Sequence, residues 1–531
     1  MKSRRFSRVG TALAALALLS PQVARAVPEM PSAEELQLEA AVVAGHQKRI
    51  LQLIAEDEFD AALKEVQALE HERPNDAAIA NLKGNVYFAM GDMANARKSF
   101  ERASALKPDS IVAALNLAQL DLRDNKPDVA RQRFTAILAK EPANAGAMVG
   151  LAGIERALGH DAEYVSWLEK ATQADPAMVG PRILLARHYA QTRQFEKALS
   201  IAHDLRDNNP RNARVLAALA DVQLAAGQGD EATATYSRMV SLFPNDADAH
   251  YKLATRLLAS NSASLARNEL VKAVGLRPGF IDATVLLASF DMSAGNYADA
   301  LRLARDLQQR HPKAPAGVVL EGDVLLAKKD LNGAQTAYAK AWSMHHSAGT
   351  AMKLHAVRLA AGKPQAAEEI MTQWLTEAPG DVEARNYLAD SYVATKEYGK
   401  AIAQYQQALQ IDRDNVRALN NLAWTYQQTR DARALATAER AYQLAPANPE
   451  VADTLASILL EKGDTKRAVE LLDRAADNAA ASPAVRYHLA VALVKSGDPA
   501  RARRQLERLL QGSPAFPQRA EAEALLKQTS N

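Results

Sequence analysis

The eleven histidines are the residues best able to hold a metal or move a proton at neutral pH, yet none is spaced for either task. His345 and His346 are adjacent and His355 follows nine residues later. Neighbours in sequence cannot share a helical face, so these three do not form a chelating set. There is no His-Glu-x-x-His motif, no Gly-rich phosphate loop and no nucleophile elbow. Cysteine is absent, which excludes disulfides, thiolate-bound zinc, iron–sulfur clusters and a lipidated N-terminal Cys. The 62 carboxylates are spread along polar stretches, and no two stand out as an acid–base couple. The reading is therefore a chain with no catalytic residue, no metal and no cofactor. What remains is non-covalent recognition, and the candidates are Asn81, Asn85, Arg187, Asp221, Tyr251, Asn386, Asp390, Asn420, Trp424 and Tyr487. They qualify only if something aligns them.

The aligning element is a repeat. Pro74, Pro108, Pro142, Pro176, Pro210, Pro244, Pro278 and Pro312 are each 34 residues apart, a period that marks a solenoid. The composition agrees: 48% hydrophobic but only 5% aromatic, rich in Ala, Leu, Glu, Lys, Arg and Gln, favours helix throughout. Counting each repeat so that its proline is at place 32, the repeat at 77–110 has Gly84 at place 8, Tyr87 at 11, Ala96 at 20, Phe100 at 24 and Ala103 at 27. Small residues at 8, 20 and 27 let two helices approach closely, and the large ones fill the gaps between repeats. Proline ends the second helix, because it lacks an N–H and drives its predecessor out of the α region. The frame outlasts the proline: Leu388, Ala389, Tyr392, Ala401, Tyr405 and Ala408 keep their places although Arg413 occupies place 32.

These places resemble the tetratricopeptide repeat. The resemblance implies an all-α, TPR-type α-solenoid, a right-handed superhelix of helix-turn-helix repeats. Fourteen repeats start near residues 43, 77, 111, 145, 179, 213, 247, 281, 315, 349, 382, 416, 449 and 483, and residues 515–531 supply a C-terminal capping helix and tail. His346 stands where the ninth proline would, and the repeat after it is one residue short. A change of curvature is expected across 343–351, dividing an N-terminal arm, 43–348, from a C-terminal arm, 349–514. On the first helix, places 4, 7, 8 and 11 face inward and places 2, 5, 9 and 12 lie on another side. In this family the latter stripe lines a concave groove. It carries the ten candidates above, together with Phe88, Leu115, Gln119, Ile183, Asp323, Gln427 and Asp453. Trp424 stands out, since an indole on such a face costs solvation unless a ligand or the next repeat covers it. The carboxylate clamp of chaperone-binding members is not reproduced: Asn85 and Asn116 match its amides, but Asn81, Gly146 and Gly150 replace its cations.

Residues 1–26 read as a secretory signal, with Lys2, Arg4, Arg5 and Arg8, an apolar run from Val9 to Leu19 and a closing Ala24-Arg25-Ala26. A lead segment, 27–42, follows. The apolar run is too short for a stable membrane span, so no membrane insertion is expected once the signal is cleaved, and the location is the periplasm. The remaining chain has 59 basic and 62 acidic residues, a net charge of −3 that offers no footprint for nucleic acid. "APGDVEARNYLADSY", "NVRALNNLAWTYQQ" and "SPAVRYHLAVALVKSGDPARARRQLERLL" resemble the closing repeats of exported tetratricopeptide proteins of the PEP-CTERM/exosortase system. That resemblance implies a role beside exopolysaccharide biosynthesis and export. The expected function is a non-catalytic scaffold that binds protein partners through the groove, with direct binding of a polysaccharide or peptide there as the alternative.

Overall fold

The computed structural model describes residues 36–55, 58–478, 482–512 and 516–529. The expected signal, 1–26, and the lead segment up to residue 35 lie outside these. Among the described residues there are twenty-nine α-helices and no strand. From Ala77 onward the helices alternate as the repeat demands: a first helix such as Ala77–Met90, a tight turn, a second such as Met93–Leu106, and a longer turn into Ile111–Arg123.

The chain enters and leaves each helix for identifiable reasons. The residue two after the repeat proline caps the next helix: the side chains of Asp76, Ser110, Asn144, Asn212 and Asp246 each accept a backbone N–H from the first turn. Lys107, just before Pro108, is extended at φ −139°, ψ 88°, so the second helix stops at Leu106. Between the two helices the residue at place 15 is left-handed in every repeat from 77 on. Gly91, Gly159, Gly227, Gly295, Gly362, Gly463 and Gly497 take this conformation without strain, but Asn125, Arg193, Asn261, Lys329, Lys396 and Arg430 also adopt it.

The described residues fall into two compact units that divide between Leu276 and Arg277. Within each, helices pack on their chain neighbours and on the next but one, the linear contact pattern of a solenoid. The second unit has one long apolar cluster running from Ala334 to Ala522, into which the terminal helix Arg519–Gln528 inserts Ala522. In the first unit the apolar contacts break into smaller groups. Polar side chains intervene there: Asp121 is buried between Arg97 at 2.9 Å and Arg133 at 2.7 Å, and Glu155 is buried against Arg131 and His160. Most of the residues that carried the repeat are inside, with Ala96, Phe100, Ala103, Ala401, Tyr405 and Ala408 all at 1% exposure or less, while Tyr87 at place 11 is half-buried. Each large one contributes about 1.5–3 kcal/mol by burial. Gly84 is required because Phe100 lies over it, 2.3 Å from where a Cβ would stand.

The broken proline row has a local cause. The turn after helix Leu331–Met344 is only His345, His346 and Ser347, and Ser347 caps the helix that begins at Ala348. The missing residue thus falls in this turn, before that helix and not within the repeat that follows. His346 stacks on Trp342 with centroids 3.9 Å apart and planes 7° apart, and Trp374 meets Trp342 edge-on at 6.3 Å. His346 Nδ1 also lies 2.8 Å from Glu377. This junction lies inside the second unit.

Candidate functional site

The first-helix faces carry a ladder of polar contacts, and most of the sequence candidates are on it. In the first unit Asn116 donates from Nδ2 to Asn81 at 2.9 Å and to Asn85 at 3.4 Å, so these amides form one cluster across two repeats. Arg187 pairs with Asp221 at 2.9 Å, place 9 to place 9 of successive repeats. Tyr251 is half-buried. In the second unit Asp390 is the most connected: it accepts from Tyr405, from Asn421 at 2.9 Å and from Arg417 at 2.6 Å. Asp453 holds His488 at 2.8 Å, and Asp323 holds Lys353 at 2.5 Å.

One device recurs. Asp221, Asp323 and Asp390 all stand at place 9, and each accepts the hydroxyl of a tyrosine fifteen residues later, Tyr236, Tyr338 and Tyr405, at place 24 of the same repeat. Burial, with the carboxylate beside it, pushes each phenol well above its ordinary value, so the hydroxyl stays a donor. The second helix therefore fixes an acceptor on the face of the first. Each carboxylate also meets a cation from an adjacent repeat: Arg187, Lys353 or Arg417.

Other candidates are placed differently. Asn386 was expected on the open face, but it is completely buried, its Nδ2 3.4 Å from the cap residue Asn415. The first helix of the following repeat covers place 5 here. Leu115, Ile183 and Gln427 are also buried. Asn420 is half-buried and donates to Asn421 at 3.3 Å. Tyr487 is half-buried against the apolar cluster of the second unit; burial raises its phenol, with Glu521 of the terminal helix adding to this. Trp424 is 37% exposed, with the Tyr398 ring edge-on at 6.3 Å. The sequence reading considered place 6 only for the carboxylate clamp, at Asn116 and Gly150; Asn421 and His488 also stand there, and Asn116, Asn421 and His488 each reach back to the preceding repeat. Place 6 lies about 60° beyond place 9 around the helix, on the flank facing that repeat, so the periodicity could have located it.

No group of three or more His, Asp or Glu among the described residues is arranged to hold a metal ion. No helix among them is long and apolar enough to cross a membrane.

Comparison with known proteins places these features in a family context. Models described as tetratricopeptide repeat match residues 115–179, 166–222, 193–257, 285–343, 358–404 and 459–529. A TPR repeat model matches 389–429, and a tetratricopeptide repeat-like domain model matches 13–112. The chain is similar to cellulose synthase operon protein C of Xanthomonas axonopodis pv. citri, 25% identical over 394 residues, covering 60% of this chain and 26% of that protein. It is 28% identical over 169 residues to the protein of the same description from Pseudomonas fluorescens, covering 30% of this chain and 13% of that one. The chain thus spans about a quarter or less of the length of these relatives. Among solved structures it is similar to yeast Tom70 at 16% identity and a TM-score of 0.43, over 80% of this chain and 96% of that one.

Proposed function

Because the chain belongs to the tetratricopeptide-repeat family, we propose that it is a non-catalytic scaffold holding protein partners along the first-helix faces of its repeats. The observation that carries this reading is the ladder itself. Tyr236, Tyr338 and Tyr405 hold Asp221, Asp323 and Asp390 at the same place of three repeats, and the supporting bonds come from the second helix. Side chains anchored in this way can meet a partner without losing further conformational freedom, which raises affinity for a given contact area. The similarity to cellulose synthase operon protein C and the closing-repeat wording support a place in an envelope assembly that makes or exports a polysaccharide, with the scaffold in the periplasm. The test is capture of partners by tagged protein crosslinked in cells. A reproducible partner from the envelope supports the reading, and recovery of none across independent preparations contradicts it.

A second reading rests on Trp424. Its exposed indole, with Tyr398 edge-on and Asn420 one turn earlier, forms a platform on which a sugar ring or peptide side chain would stack. Titration with polysaccharides while following tryptophan emission tests it. A change that disappears in Trp424→Phe supports the platform, and no change rules it out.

A further inference from the structure

One junction in the first unit carries charge that its own residues do not balance. Where the repeats beginning at 382 and 416 meet, place 9 of one and place 2 of the next are Asp390 and Arg417, a pair at 2.6 Å. Where the repeats beginning at 179 and 213 meet, the same places hold Arg187 and Arg214, two guanidiniums. Burial pushes Arg214 below its ordinary value, and the charge of Arg187 adds to this. The carboxylate at this junction is Asp221, which already receives Arg187 at 2.9 Å and the Tyr236 hydroxyl at 3.1 Å. The Lys252 ammonium lies 6.0 Å from the centroid of the same Tyr236 ring. Arg256, one turn further along that helix, has a buried Nε with no hydrogen-bond partner. Of the carboxylates nearby, Asp204 pairs with Arg182, Asp246 caps the helix that carries Lys252 and Arg256, and Asp248, one turn before Lys252, has a contact of its own. Arg187 is exposed and paired, but Arg214, Lys252 and Arg256 are half-buried; cations so placed without a carboxylate in contact are destabilising, and an incoming anion removes that cost.

We infer that Arg187, Arg214, Lys252 and Arg256 form a docking strip for an acidic, extended segment of a protein partner. The inference rests on the scaffold reading and names the chemistry of the segment it binds. The four cations come from three successive repeats, and neighbouring helices are about 8–10 Å apart, so one small anion cannot bridge them. A chain bearing several carboxylates can. Asp221, between the cations, remains an acceptor for the segment's backbone N–H groups, a role that a string of anions without donors would not fill. The strip differs from the carboxylate clamp of chaperone-binding relatives, whose places in the repeats at 77, 111 and 145 carry no cations.

The test uses the full chain and a fluorescent peptide of alternating Glu and Ser, beside a Gln-for-Glu version, an oligouronate and inorganic phosphate. The acidic peptide should bind, and raising salt from about 50 to about 300 mM should weaken it. Arg214→Gln with Arg256→Gln should reduce its affinity about tenfold while thermal melting is retained or raised. Lys252→Gln, a milder change on the same strip, should act in the same direction. Arg417→Gln, whose guanidinium is already paired, should not. Equal binding of the neutral peptide, preference for the oligouronate or phosphate, or indifference to both strip variants would overturn the inference. Partner capture from cells separates the two claims. If wild type and the double variant recover the same partner equally, the strip is not its dock but the scaffold stands. If wild type recovers none, the scaffold reading itself fails.

Discussion

At the scale of single residues, place 15 shows what the backbone imposes whatever the side chain. Thirteen repeats put a left-handed residue there, and in six of them it is not glycine. Arg430 at φ 56° pays a steric cost that glycine avoids, whereas Gly463 at φ 84° would incur it with any side chain. Arg430→Gly should therefore stabilise the chain by about 0.5–1 kcal/mol, and Gly463→Ala should destabilise it by about 1 kcal/mol. Denaturant unfolding measures both, and shifts of the same sign would refute the account. Titration gives a second residue-level prediction. The Asp453 carboxylate raises His488 above its ordinary 6.5, with burial opposing. A raised folded value adds stability that is complete below the unfolded value and is lost as pH climbs through the folded one. His488→Gln should therefore flatten the decline in stability above pH 6.5. His355 works in the opposite sense: burial lowers it, so its contribution disappears as pH falls below 6.5. Unfolding midpoints across this range decide, and an unchanged slope above 6.5 in the His488 variant would count against the Asp453 contact.

At the scale of elements, the helix pair is set by which small residue faces which ring. Phe100 fills the space over Gly84, and Tyr338 does the same over Gly322, each ring 2.5 Å or less from where a Cβ would be. Gly84→Ala should cost about 1–3 kcal/mol, and Phe100→Leu in the same chain should recover part of it by making room. A neutral Gly84→Ala would show that the pair has slack. This part of the architecture was legible in the sequence, because a 34-residue period and a small-against-large pattern both follow from close helix packing. The turn chemistry was less so: Asn, Lys and Arg at place 15 do not signal a left-handed residue as glycine does. Asn421 and His488 at place 6 are not legible on one helix, because their side chains act across the boundary to the previous repeat. Asn386 was misjudged for the same reason, since what buries it is the next repeat. The division into arms at 348/349 is a proposal, motivated by the His346–Trp342 stack and the shortened turn.

At the scale of the whole molecule, the first helix is the more buried of the pair in repeats such as those at 111, 145, 213 and 449, yet it still presents polar side chains that the second helix braces. In the second unit Asp323 and Asp390 each have a cation beside them and Asp453 has His488, and in the first unit the inferred strip from Arg187 to Arg256 has more cations than paired carboxylates. The inferred strip would give the first unit a ligand chemistry of its own. The central claim is that first-helix faces, not second-helix backs, meet the partner. Photo-crosslinking in cells from single positions measures it directly, with the reactive group at Asn85, Asp390 or Trp424 on the faces and at Glu101, Gln335 or Arg440 on second helices. The account predicts one recurrent partner captured from the face positions and little from the second-helix ones. Equal capture from both sets, or capture only from the second helices, would contradict it.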